Sequence, residues 1–169
     1  MRRCGGLLAA LFLLLLLSGC ALSSMRFGDA DMIAEDRMES ILHAVEERDS
    51  GAVEALFAEP ALEEAGDLTE ELEELYALFP EGAEVYWEKN SGTASKSANY
   101  GVIVQDSCYW FHVTVGENAY WIAITERLKD TEYPENEGIW SIYLYNVETE
   151  ELDFSEPGVY VVLGDGGDE

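Results

Sequence analysis

The stretch YWFHVTVGENAYWIAITERL, Tyr109 to Leu128, decides the architecture of this chain. Tyr109, Phe111, Val113 and Val115 fall on one side of an alternating pattern, and Trp110, His112 and Thr114 on the other. Successive side chains of a strand point to opposite faces, so the first half of the stretch is a strand with two distinct sides. Gly116-Glu117-Asn118 is a tight turn, after which Tyr120, Ile122 and Ile124 alternate with Trp121, Ala123 and Thr125. Two such runs joined by a glycine turn form a β-hairpin. Its Tyr109 face is the core face, and its Trp110 face is turned away from that core.

The pattern continues in both directions. Ile139–Tyr145 buries Trp140, Ile142 and Leu144 and turns Ser141, Tyr143 and Tyr145 outward, while Val159–Leu163 is a late strand behind Pro157-Gly158. Upstream, Glu84–Lys89 and Asn99–Gln105 are further strands, rich in the residues that pleated surfaces favour. SGTASKSAN, Ser91 to Asn99, reads as a polar hairpin loop, Asp130 to Gly138 as a longer connection, and GDGGDE as a frayed tail. Before Pro80 the period becomes helical. Ile33, Ala34, Met38, Ile41, Leu42 and Val45 make one face of a helix over Asp29 to Arg48. Asp49-Ser50-Gly51 ends it and caps a second helix, Ala52 to Ala58. Pro60 opens a turn that Gly66 closes. Asp67 with Glu70 has the spacing of a capping box before a stripe of Leu68, Leu72, Leu75, Tyr76 and Phe79. Helices followed by an antiparallel meander give an α+β fold, with the N-terminal helices packed on one face of a curved antiparallel sheet.

The first residues carry an address. Met1-Arg2-Arg3 precedes an unbroken apolar run of 11 residues, Leu7 to Leu17. A membrane span needs about 20, so the run has the length of a signal-peptide core. Leu17-Ser18-Gly19-Cys20 resembles the lipobox of bacterial lipoproteins. The resemblance implies that residues 1–19 are a removed signal peptide and that Cys20 becomes a diacylated N-terminus. Residues 20–28 are then the lipidated cysteine and its tether, and the rest works at the extracytoplasmic face of the cell membrane. Two acyl chains, at about 0.8 kcal/mol per buried methylene, hold such an anchor firmly.

Composition narrows the partners. Without Arg2 and Arg3, seven of the nine Lys and Arg face 35 Asp and Glu, a net charge of −28. A field of that sign repels phosphate backbones and anionic headgroups, which argues against nucleic acid and favours cationic partners. Hydrophobic content of 48% supports a packed core. With Cys4 in the leader and Cys20 lipidated, Cys108 stands alone, so no internal disulfide is expected.

The run EERDSGAVEALFAEPAL, Glu46 to Leu62, with Asp49 between two helices, resembles the opening of nuclear transport factor 2-like domains. EGIWSIYLYNV, Glu137 to Val147, is similar to a segment near the end of a domain of unknown function in Gram-positive lipoproteins. The resemblance implies a cone of curved sheet around helices over residues 29–147. Residues 148–169 are left as a C-terminal extension with an extra strand and an acidic tail. It assigns no activity. That fold includes isomerases and dehydratases that use a cavity carboxylate and a tyrosine on the first helix, yet the first tyrosine here is Tyr76.

No nucleophile elbow, zinc helix, paired-cysteine or phosphate-loop motif occurs. His43 and His112 are too few for a zinc site, Cys108 has no activating neighbour, and neither Asp29–Asp36 nor GDGGDE has a calcium-loop frame. No cofactor or metal is expected. What stands out is the outward aromatic set Trp110, His112, Trp121, Tyr143 and Tyr145, which suggests a contact surface. Either a homodimer or envelope-protein partner uses it, or Phe154 and Val159–Leu163 cover it. The expectation is a lipid-anchored binding or interaction module for a small molecule or a protein. The alternatives are an isomerase- or dehydratase-like enzyme and an acidic accessory subunit of an envelope assembly.

Overall fold

The computed structural model describes residues 27–146 and 154–163. Helix α1, Phe27–Glu46, buries Ala30, Ala34, Met38, Ile41 and Val45 along one stripe. Arg48 ends it at φ 52 with Asp49 N donating to Ala44 O, a left-handed closure in which glycine is the commoner residue. Asp49 then caps α2, Ser50–Glu54, by accepting from Ala52 N at 2.9 Å. That helix stops short of the expected Ala58 because Ala55 and Leu56 form a turn and Phe57 bridges Ile139, with Ala58 N donating to Ile139 O and Ile139 N to Leu56 O. Gly138, at φ 140, permits this approach: a Cβ there would lie 2.7 Å from Ala58 N.

Helix α3, Glu59–Ala65, carries Pro60 in its first turn and closes at Gly66, as the sequence indicates. Helix α4, Thr69–Ala77, buries Leu72, Leu75 and Tyr76. The expected Asp67–Glu70 box is replaced by a shorter turn, in which Asp67 accepts from Thr69 N and from Thr69 Oγ1. No helix among the described residues is long and apolar enough to cross a membrane.

One sheet follows, in the order β1-β2-β3-β4-β5: Val85–Asn99, Val102–Val115, Asn118–Asp130, Gly138–Tyr145 and Gly158–Val162. The first four strands are antiparallel neighbours, but β5 lies parallel to β4, so the sheet is mixed rather than wholly antiparallel. Ser91 to Asn99 is also strand, not loop. Its backbone pairs with β2 from Trp110 to Val102, so the partner decides its conformation where its own polar side chains would not. The actual turn is Tyr100-Gly101, with φ 48 and 89, the two positive values that a type I′ hairpin needs. A bulge between Lys89 and Ser91 interrupts β1.

The helices cover one sheet face. Tyr109, Phe111, Val113, Val115, Tyr120, Ile122, Ile124, Ile142, Leu144 and Val159 join the buried stripes of α1 and α4 in one core. A smaller cluster on the opposite face gathers Ala123, Tyr143 and Tyr145 with Trp110, Trp121, Phe154, Tyr160 and Val162.

Candidate functional site

Polar side chains inside the helix–sheet sandwich come from three strands and one helix. Glu126 projects from β3 into the interface and is 4% exposed. Arg37 on α1 donates from Nε to its Oε2 at 3.1 Å, and Ser107 Oγ lies 3.4 Å from Oε1. Burial pushes the Glu126 carboxyl above its usual range, against the opposing pull of Arg37 and Ser107. Nearer the start of α1, Asp31 and Glu35 grip Lys89 at 3.2 and 3.0 Å. Burial acts to lower the Lys89 ammonium, but Glu35 and Asp31 outweigh it and hold it above its ordinary value. Tyr109 sits beside this pair with its ring over Gly92, where a Cβ would collide with its Cδ1. Burial, then the Asp31 and Glu126 carboxylates, push the Tyr109 hydroxyl up to about 12. Both Glu126 oxygens thus have protein partners.

Concave surface lies elsewhere. A cleft of about 640 Å3 opens where the end of α1 meets the connection from α4 to β1. Leu42, Phe79, Val85 and Trp87 line it with Glu46, Glu47, Arg48 and Glu81. The half-buried Trp87 packs its ring edge-on against Phe111, with centroids 5.7 Å apart. Arg48 donates to Phe79 O at 3.4 Å and lies over the Tyr76 ring, so its guanidinium is fixed in the wall. A second cleft, about 370 Å3, lies among Asp106, Thr125, Arg127, Trp140 and Phe154. Arg127 there pairs with Asp106 at 2.7 Å, and Thr125 Oγ1 lies 2.6 Å from Ser141 Oγ.

The aromatic set expected on the outer face does share that face, but its members differ in access. Trp110, His112 and Trp121 are half-buried, with His112 edge-on to Trp121 at 5.2 Å. Tyr143 and Tyr145 are 4% and 2% exposed, so they are not open to a partner. Phe154 inserts against both, at centroid distances of 4.9 and 6.0 Å, and Tyr160 stacks on Tyr143 at 4.5 Å. Trp140 Nε1 donates to Ser155 O at 2.9 Å and fixes the covering segment. The C-terminal cover weighed as an alternative is therefore present over these two tyrosines.

Other candidates are less promising. Asp29–Asp36 lies within α1 and is helix rather than calcium loop. His43 is exposed. Burial pushes the Cys108 thiol up to about 11, which keeps it protonated and poorly nucleophilic. No group of three or more His, Cys, Asp or Glu among the described residues is placed to hold a metal ion. Cys20, its leader and GDGGDE lie outside the described residues. Sequence reasoning missed Glu126 and Arg37 because nothing local distinguishes them among 35 acidic and nine basic residues. The cleft around Trp87 was missed too, because its walls come from three separate segments.

No curated protein matches the chain. A family model described as a domain of unknown function, DUF5104, matches residues 40–150. That match spans more than half of the chain and covers α2 to β4 with the end of α1, and the chain belongs to the DUF5104 family.

Proposed function

We propose that the chain is a lipid-anchored, extracytoplasmic binding module with a nuclear transport factor 2-like cone, holding a small ligand or partner rather than transforming one. The observation that carries this reading is the content of the interior. Met38, Ile41, Phe111, Ile122, Ile142 and Leu144 are each at most 1% exposed, and they pack the space in which a cone enzyme would hold substrate. A general base must come within hydrogen-bond reach of the proton that it removes. Glu126, the buried carboxylate of this interior, is occupied by Arg37 and Ser107 instead. Concave surface open to a ligand is supplied by the cleft around Trp87.

The raised carboxyl of Glu126 is the one observation in favour of the isomerase- or dehydratase-like reading. Half-exposed Trp110, His112 and Trp121 support the homodimer or envelope-subunit reading in the same limited way. The anchor rests on the lipobox-like Leu17-Ser18-Gly19-Cys20. To test it, the full chain is expressed in a Gram-positive host fed an alkyne fatty acid. Label and membrane fractionation are expected for the native chain and lost in Cys20→Ser. A Cys20→Ser chain that stays labelled, or a domain that added protease cannot reach on intact protoplasts, would defeat the proposal.

A further inference from the structure

We infer that the cleft around Trp87 is a site for a small organic cation, an ammonium group on a compact apolar body. The inference rests on the binding-module reading and names its ligand class. Leu42, Phe79, Val85 and Trp87 give a mostly polar cleft its apolar floor patch. At about 640 Å3 it falls in the size range of small-molecule sites, which combine apolar walls with a few polar groups that set specificity.

The polar groups at this rim have one predominant sign. Glu46, Glu47 and Glu81 stand at the edge as exposed carboxylates, against the single guanidinium of Arg48. Arg48 turns one N–H to the Phe79 carbonyl and lies over the Tyr76 ring, and its one positive charge is outnumbered by the three carboxylates of the rim. Low-dielectric walls focus such a field into a cleft, and the acidic surface as a whole adds to it. Trp87 supplies the other half of cation recognition. Its indole is half-buried, held edge-on by Phe111, and an indole face attracts an ammonium more strongly than any other side-chain ring does. The apolar body would displace water from the floor while the charge remains near the rim and the ring. An anion of the same size meets repulsion at the same rim, and a neutral analogue gains only the floor.

Three probes built on one benzyl body separate these outcomes: benzylammonium, its neutral isostere benzyl alcohol, and phenylacetate. Binding to the full chain, in a non-ionic detergent, is followed by ligand-observed NMR and calorimetry. The expected result is that the cation binds at least about tenfold more tightly than the alcohol, with phenylacetate weaker than both. Glu81→Gln and Glu47→Gln should each weaken the cation by roughly threefold and leave the alcohol unchanged. Trp87→Leu should weaken it by roughly tenfold, and Trp87→Phe, which keeps the packing on Phe111, by less. Equal binding of cation and alcohol, both lost in Trp87→Leu, overturns the cation class and leaves the binding module standing. A preference for phenylacetate does the same. No binding by any probe, with every variant folded, overturns this inference and removes the support that the cleft gives to the module.

Discussion

Arg37, midway along α1, donates from Nε to Glu126 Oε2 on β3 at 3.1 Å, although 89 positions separate the two residues. The bond fastens helix to sheet at a depth where the carboxylate side chain is 1% exposed. Removing one partner of such a pair strands the other. Glu126→Ala is expected to cost roughly 2–4 kcal/mol in urea denaturation, and Glu126→Gln, which keeps shape and hydrogen-bonding atoms, clearly less. Equal costs for the two variants would show that volume, not pairing, matters there.

The same carboxyl sets a pH dependence. Burial raises it above its ordinary 4.5, so the folded state holds this proton more tightly than the unfolded chain does. Its contribution is full below that ordinary value and declines as pH rises through the raised folded value. The stability difference between the native chain and Glu126→Gln should therefore move in favour of the glutamine as pH rises from about 4 to about 8. Urea midpoints across that range measure it, and a difference that grows in favour of the native chain has the wrong sign.

Asp130 behaves in the opposite way. Its oxygens accept from Asn136 Nδ2 at 2.9 Å and from the backbone of Tyr133 and Glu132, with Arg127 beside them. The Asn136 bond first, and then these others, hold the carboxyl below its usual range. Its stabilisation is present above the unfolded value and lost as pH falls through the depressed folded one. Asp130→Ala should loosen the Asp130–Glu137 connection at neutral pH, seen as faster amide exchange at Glu132 and Tyr133. The difference should vanish in strong acid.

Gly92 and Tyr109 face each other across β1 and β2, and the ring occupies the place of the missing side chain. Gly92→Ala puts a carbon into that ring and should cost about 1–3 kcal/mol. In a Gly92→Ala, Tyr109→Ala double variant the penalty of the first change should largely disappear, because the two are coupled through one contact. Additive losses would remove the ring from the explanation.

Phe154 covers Tyr143 and Tyr145 from outside the span matched by the family. Phe154→Ala should destabilise the chain by about 2–3 kcal/mol and increase binding of a hydrophobic dye, as aromatic surface opens. A variant of native stability that binds no more dye would mean that this contact contributes little.

Much of the fold was legible because alternation and helical period are local. Tyr109 to Leu128 shows a hairpin and its two faces, and the stripe of α1 from Ala34 to Val45 needs no partner to be read. Ser91 to Asn99 was misread because its strand state is imposed by β2, and Tyr100-Gly101 lacks the Asn-Gly spelling that marks such turns. The direction of β5 is set by where the chain re-enters the sheet, which composition does not encode. Glu126 could not be singled out for a related reason. Depth is created by neighbours, and its partner Arg37 is far away in sequence.

The interruption at Lys89 and Ser91 has a consequence for the molecule in a crowd. β1 is the terminal strand of the sheet, and a long flat edge is a template on which another chain can add. Here the offset at Lys89 breaks the even row of free amides and carbonyls, and the run beyond it is Ser, Gly, Thr, Ala and Lys, with little apolar surface to zip shut. Lys96 adds an exposed charge to that margin. The β1 margin thus carries its own stop against edge-to-edge growth, a safeguard against fibrils that counts most at high local concentration.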